Sequence, residues 1–187
     1  PGHIRQMKLD QIHPLLDWIN VMTYDLAGTW NPTTGFNAPL YSPVPDGPHA
    51  LSADRSIRSY LDAGVPKDKV VLGVPFYGRA FGGVKPVNNG IFQPHDHKQQ
   101  PKAGAPGGWS YRNLAAHYIG QRGRRFWHDA AQVPFLYDED AGLWITYDDP
   151  ESIRLKADYA RQQGLGGVMI WELSEDDAQS SLLRALN

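Results

Sequence analysis

VVLGVPFY, residues Val70 to Tyr77, carries no charge and is rich in β-branched and aromatic residues. A run this short and this apolar predicts a strand buried on both faces, the kind found in parallel sheets whose two sides are covered. Two further stretches share its character. Upstream, LLDWINVMTY (Leu15 to Tyr24) is read as a strand closed by Asp25, and downstream GVMIW (Gly167 to Trp171) is read as a third. Ile4, Met7 and Ile12 suit a short amphipathic helix before the first strand, ending at His13 ahead of Pro14. Between the first two strands, Ser52 can cap a helix with Ile57, Tyr60 and Leu61 on one face and Gly64 as its stop. Before the third, Asp149-Pro150-Glu151 supplies an N-cap, a first-turn proline and an acidic first turn. That helix shows Ile153, Ala157 and Ala160 on one side and ends at Gly164. A last helix carries Leu182, Leu183 and Leu186. Strands alternating with helices imply parallel βα units.

Residues 80–148 break the alternation. They open polar and rich in glycine and proline, then predict a helix over 111–119 and two antiparallel strands, 133–137 and 143–147, joined by a turn. The fold class expected is therefore α/β with an inserted α+β module. Its segments are 1–79, the module 80–148, and 149–187.

The 187 residues suit one domain, with 18 Lys+Arg against 20 Asp+Glu and no Cys. This balance leaves no basic excess to neutralise phosphates, so nucleic acid is not an expected partner. Without Cys there is no disulfide frame, thiolate metal site or Cys nucleophile. No apolar run reaches the roughly 20 residues a membrane span needs. Pro1-Gly2-His3-Ile4-Arg5 is neither a start Met nor a signal peptide, which leads to the expectation that the chain begins inside a larger protein.

In parallel α/β folds ligands gather at the C-terminal ends of the strands. Those ends read Met22-Thr23-Tyr24-Asp25, Phe76-Tyr77-Gly78-Arg79 and Met169-Ile170-Trp171-Glu172. One terminal aromatic is ordinarily a core residue; three, each beside an ionisable group, suit a sugar, whose C–H faces pack on rings while its hydroxyls need polar partners. The loop over 27–48 is long enough to be functional and carries Trp30. Three groups read as scaffold. His95-Asp96-His97 has no second ligand pair, Asp138-Glu139-Asp140 and Glu175-Asp176-Asp177 suit a turn and a helix start, and Gly82-Gly83 and Gly107-Gly108 lack the Lys and Ser/Thr of a phosphate loop. No metal or cofactor is expected.

NVMTYD, VLGVPFYGRAF, LWITYDDPESIRLKADYA and GLGGVMIWELSEDD, in this order, resemble the later strands of family 18 glycoside hydrolases, chitinases above all. The resemblance runs over nearly the whole chain. It implies that the three strands are the sixth to eighth of a (β/α)8 barrel, a partial TIM barrel, and that residues 80–148 are the chitinase insertion domain. It implies a secreted enzyme cleaving β-1,4-linked N-acetylglucosamine by substrate-assisted retention. Tyr24 would bond the substrate's N-acetyl group, and Asp25 would bind hydroxyls beside the acid. Trp171 would lie under the cleaved sugar, Met22 and Met169 would line the pocket, Tyr77 and Arg79 would contact sugar, and Trp30 would be a platform for leaving-group sugars. Each has a plainer role: core packing for the Tyr and Met residues and Trp171, a carboxylate capping a strand end for Asp25, an ion pair anchoring the insertion for Arg79, and folding under its own loop for Trp30. The family's D-x-x-D-x-D-x-E, which carries the general acid, has no match here. The chain is thus expected to be inactive alone and to need the N-terminal half of the same domain as partner. Val21, Leu72, Val74 and Val168 would be half covered without that half. The alternative is a chitinase-like carbohydrate-binding protein without catalysis.

Overall fold

The computed structural model describes residues 6–99 and 108–187. Ile4 and Gly107, to which some expectations refer, lie outside them. In chain order the elements are α1 (Leu9–Ile12), β1 (Ile19–Val21), α2 (Ala53–Asp62), β2 (Val70–Pro75), β3 (Arg79–Phe81), α3 (Tyr111–His117), β4 (Arg124–His128), β5 (Val133–Asp138), β6 (Leu143–Thr146), α4 (Pro150–Gln163), β7 (Gly167–Trp171) and α5 (Ser181–Ala185). They build two sheets.

The first sheet is parallel, in the order β1-β2-β7. Val21 pairs with Leu72, and Gly73 with Met169. One face presents Val21, Val70, Leu72 and Val74 to a core with Ile57 of α2, Ile153 of α4 and Leu182 of α5. The caps follow the sequence reading: the Ser52 side chain accepts from Arg55 N, Asp149 from Glu151 N and Ser152 N, and Gly164 stops α4 at φ 66°.

Three readings of this sheet need correction. The first strand covers only Ile19–Val21, because His13–Leu15 forms a 3-10 turn whose end is held by Lys69 Nζ, which donates to the carbonyls of His13 and Leu16. The strands are not buried on both faces: Trp18 (60% exposed), Met22 (67%) and Trp171 (55%) lie on the side away from the helices. Conversely, Val21, Leu72 and Val74 are fully covered rather than half covered, since α2, α4 and α5 complete their side. In α1 the buried residue is Leu9, while Met7 and Ile12 are exposed.

The second strand also stops earlier, at Pro75, and Arg79 opens β3 in the other sheet. Gly78 makes the crossing possible, since a Cβ there would lie 2.5 Å from the Thr146 carbonyl. The second sheet is antiparallel, in the order β3-β6-β5-β4, so four strands stand where two were expected. RRFWH of β4 was illegible because it opens on two arginines and does not alternate; its order comes from tertiary pairing, Phe126 with Phe135 and Trp127 with Pro134. One face of this sheet (Leu136, Leu143, Ile145) joins the core shared with α3 and the first sheet. The other face (Val133, Phe135, Tyr137, Trp144) packs with Phe81 and Phe36.

Candidate active site

The site grows from the C-terminal end of the parallel sheet. Gly73 is central: a Cβ there would lie 2.6 Å from the Val21 carbonyl and 2.9 Å from the Tyr24 ring, so only glycine lets Tyr24 lie across the strand. Tyr24 is 7% exposed, and its hydroxyl reaches Met169 Sδ at 3.9 Å, its one hydrogen-bond partner among the described residues. A thioether is a weak acceptor. Burial, reinforced by the Asp25 charge, pushes the Tyr24 phenol up, so it remains a protonated donor through the neutral range.

Beyond Tyr24 the chain turns at Asp25, which holds φ 56°, a left-handed conformation uncommon outside glycine. Its Oδ1 accepts from Tyr77 Oη (2.7 Å), Arg79 Nε (2.8 Å) and Arg79 Nη2 (2.5 Å). All three bonds converge on Oδ1; among the described residues none is made to Oδ2. The Tyr77 phenol is raised by burial and by donating to the Asp25 carboxylate. Arg79 is therefore paired within the strand-end cluster, not to an acid of the insertion. Its guanidinium carbon lies 4.8 Å from the Trp30 ring centroid and 5.4 Å from that of Tyr77. Trp30 is 58% exposed and not tucked under its loop; Gly28 lacks the Cβ that would stand 2.4 Å from its ring.

The loop carrying Trp30 is stitched to the segment after β3. Thr34 N donates to Gln93 O, the Thr34 hydroxyl donates to Gly90 O, and His95 Nε2 donates to Asn31 O at 2.7 Å. Thr33 bonds His49, which stacks on Phe92. His95 packs against Phe81 and His97, and among the described residues no group of three His, Asp or Glu is placed to hold a metal.

Six of the eight candidate residues thus form one contact chain: Met169, Tyr24, Tyr77, Asp25, Arg79, Trp30 (Tyr24 and Tyr77 meet edge to face at 6.1 Å). Met22 and Trp171 touch none of them through a polar or ring contact. They lie on the open side of the sheet, Trp171 in register with Pro75. Asn37 was missed. Buried in the long loop, it accepts from Asp25 N through Oδ1 at 3.0 Å, and the only signal was an amide amid apolar neighbours in GFNAPL.

A polar strand-end cluster with aromatic walls on a parallel sheet is common to many enzymes, and relatives decide among them. The family model for glycosyl hydrolases family 18 matches residues 1–176. The chain belongs to this family. Within family 18 it is 41% identical over 177 residues to chitinase A1 of Niallia circulans, covering 90% of this chain and 25% of that protein. It is 36% identical over 222 residues to chitinase B of Serratia marcescens, covering 96% and 44%. Among solved structures it superposes on a chitinase from Bacillus thuringiensis with a TM-score of 0.86 at 40% identity, covering 96% of this chain and 32% of that one. The chain spans between a quarter and a half of these curated relatives.

Proposed function

We propose that this chain forms the C-terminal part of a family 18 catalytic domain, with β1, β2 and β7 as the sixth to eighth strands of a (β/α)8 barrel and residues 80–148 as its insertion. The enzyme hydrolyses β-1,4-linked N-acetylglucosamine in chitin outside the cell. The observation that carries the reading is the Tyr24 hydroxyl, buried at the strand ends next to the Asp25 carboxylate and bonded, among the described residues, to a thioether alone. Such a donor exchanges its weak partner for the carbonyl oxygen of an N-acetyl group at no cost in lost bonds.

In this mechanism the substrate is its own nucleophile. The N-acetyl oxygen attacks the anomeric carbon as the glycosidic bond breaks, a protonated acid gives its proton to the leaving oxygen, and water then opens the oxazolinium ring with retention. Tyr24 aligns the attacking oxygen, and Asp25 accepts from the sugar through Oδ2, which receives no bond among the described residues. Trp171 and Met22 form the apolar floor with Met169, while Trp30, backed by Arg79 and Tyr77, carries the sugars on the leaving side. The acid comes from the preceding part of the domain. The same part covers the open side of the parallel sheet, where Trp18, Met22 and Trp171 await it. The substrate supplies the nucleophile, so no cofactor is required.

The test is kinetic, in the longer protein that contains this chain. Tyr24→Phe should lower kcat on the order of 10²-fold with little change in KM, as for removal of a donor that tightens in the transition state. An unchanged kcat with a raised KM would sink the assignment. The 187-residue chain alone should show no turnover, because proton donation to the leaving group is worth roughly 10²- to 10⁴-fold by itself.

A further inference from the structure

We infer that Asn37 is a positioning residue that sets Asp25, and through it Tyr77 and Arg79, in the geometry that receives sugar. The inference rests on the reading of this cluster as a sugar site.

Asp25 holds a conformation that a side-chain-bearing residue leaves unless something pins it. The pin is one amide. Asn37 is 1% exposed, and both ends of its carboxamide and its backbone carbonyl are committed to the site. Its Oδ1 accepts from Asp25 N at 3.0 Å, its backbone carbonyl accepts from Leu26 N at 3.0 Å, and its Nδ2 reaches the Tyr77 carbonyl at 3.5 Å. The two residues joined by the phenol–carboxylate bond, Asp25 and Tyr77, are therefore each gripped at the backbone by one end of the same carboxamide. The amide cannot be flipped or replaced by a carboxylate without setting like against like: a flip puts NH₂ on N–H and oxygen on oxygen, and Asp in its place faces the Tyr77 carbonyl with an anion.

Asn37 is held in turn by the second sheet. Its backbone N–H donates to the Thr146 hydroxyl at 3.0 Å, and Thr146 is wholly buried in β6. Thr146 is the register partner of Arg79 on β3. One buried threonine thus fixes both the residue that orients Asp25 and the strand position that delivers the guanidinium to it. The antiparallel module acts on the site through this pair while leaving the sugar to Asp25, Arg79 and Trp30.

The 187-residue chain offers a readout that does not depend on catalysis. An Arg Nε–H bonded to a carboxylate exchanges slowly with water, so the Arg79 Nε–H and Asp25 amide signals in ¹⁵N NMR report the geometry directly. Asn37→Ala and Asn37→Asp should each speed exchange at Arg79 Nε–H about tenfold or more, and Thr146→Val should do so in part. Thr146→Ser, which keeps the hydroxyl, should match the unaltered chain, and amides of β5 and β6 should not move in any variant. In the longer protein that contains this chain, binding of an N-acetylglucosamine tetramer, followed by Trp fluorescence, should weaken about tenfold in Asn37→Ala. An unmoved Arg79 signal in Asn37→Ala overturns the inference. So does loss of the β5 and β6 amide pattern along with it, which would make Asn37 a general folding residue, and so does a moved Arg79 signal with unweakened tetramer binding. If Asn37→Ala does not fold, the threonine pair decides, because Val and Ser giving the same Arg79 signal contradicts the relay. A longer protein that binds no tetramer in its unaltered form defeats the sugar reading, while the exchange at Arg79 still judges the positioning role.

Discussion

The two sheets solve the same burial problem differently. The antiparallel sheet has both faces covered, one by the core it shares with α3 and the other by an aromatic cluster of Phe36, Phe81, Phe135 and Trp144. The parallel sheet covers one face with α2, α4 and α5 and leaves Trp18, Met22 and Trp171 exposed on the other. Apolar groups gathered on one exposed face mark a surface that meets something else. The module's covered faces are scaffolding; the open face is where substrate and the rest of the barrel are proposed to come.

If this contrast holds, the largest penalty follows a cut into the module. Trp144 is fully buried, with ring centroids at 5.2 Å to Phe135, 5.6 Å to Phe36 and 5.7 Å to Phe81. Trp144→Ala should cost near the top of the about 3–5 kcal/mol range for emptied aromatic sites, read from urea unfolding. A loss below about 1 kcal/mol would mean that the module's core is no better packed than the open face.

Next comes the joint between the sheets. Asp148, just past β6, is buried against Lys156 of α4 with Nζ–Oδ1 at 2.5 Å, and Ser152 Oγ donates to the same oxygen at 2.7 Å. Burial pushes the carboxyl up and the ammonium down, each charge opposing the other's shift. Lys156→Met removes the opposing charge and leaves the buried Asp148 carboxylate with the Ser152 hydroxyl but no cation, at a cost of about 3 kcal/mol at neutral pH. The sign with pH follows. The variant's folded state binds a proton at Asp148 more tightly than the unfolded state does, so its stability is fullest below the unfolded carboxyl pKa of about 3.9 and falls as pH rises through the folded value. Urea midpoints of the variant relative to the unaltered chain at acid and neutral pH check this; a deficit that does not grow with pH would show Asp148 to be solvated.

The same contrast explains what could be read in the sequence. Helix boundaries were legible because their caps are local: Ser52, Asp149 and Gly164 act within one turn. The strand ends Tyr24-Asp25 and Tyr77–Arg79 were legible as a cluster because parallel topology forces them together. Strands β3 and β4 were not, because Arg79–Phe81 and RRFWH owe their conformation to partners 67 and 9 positions away in register, Arg79 with Thr146 and Phe126 with Phe135. The open face misled the reading for a related reason. Apolarity states that a strand is to be covered twice, and it does not state that both covers lie in the same stretch of chain. Asn37 escaped because its role is defined by Asp25, Tyr77 and Thr146, residues 12, 40 and 109 positions away.

The smallest effect should come from the open face itself. Trp18 is 60% exposed and lines, with Asn20, Val71, Gly167 and Met169, an open cavity of about 470 Å³ on the uncovered side of the sheet. Replacing a mostly exposed ring forfeits little transfer energy, so Trp18→Lys should change the stability of the 187-residue chain by less than about 0.5 kcal/mol. The same substitution places a charge on the surface through which copies of the chain would stick together, so sedimentation should show less association than in the unaltered chain. In the longer protein the sign reverses. There the proposed barrel closes over this side, and burying the ammonium of Trp18→Lys, even beside Asp17 and Asp68 of the same concavity, should cost several kcal/mol instead of a fraction of one. Equal small effects in both settings would show that nothing covers the open face and would remove the basis for treating the two sheets differently.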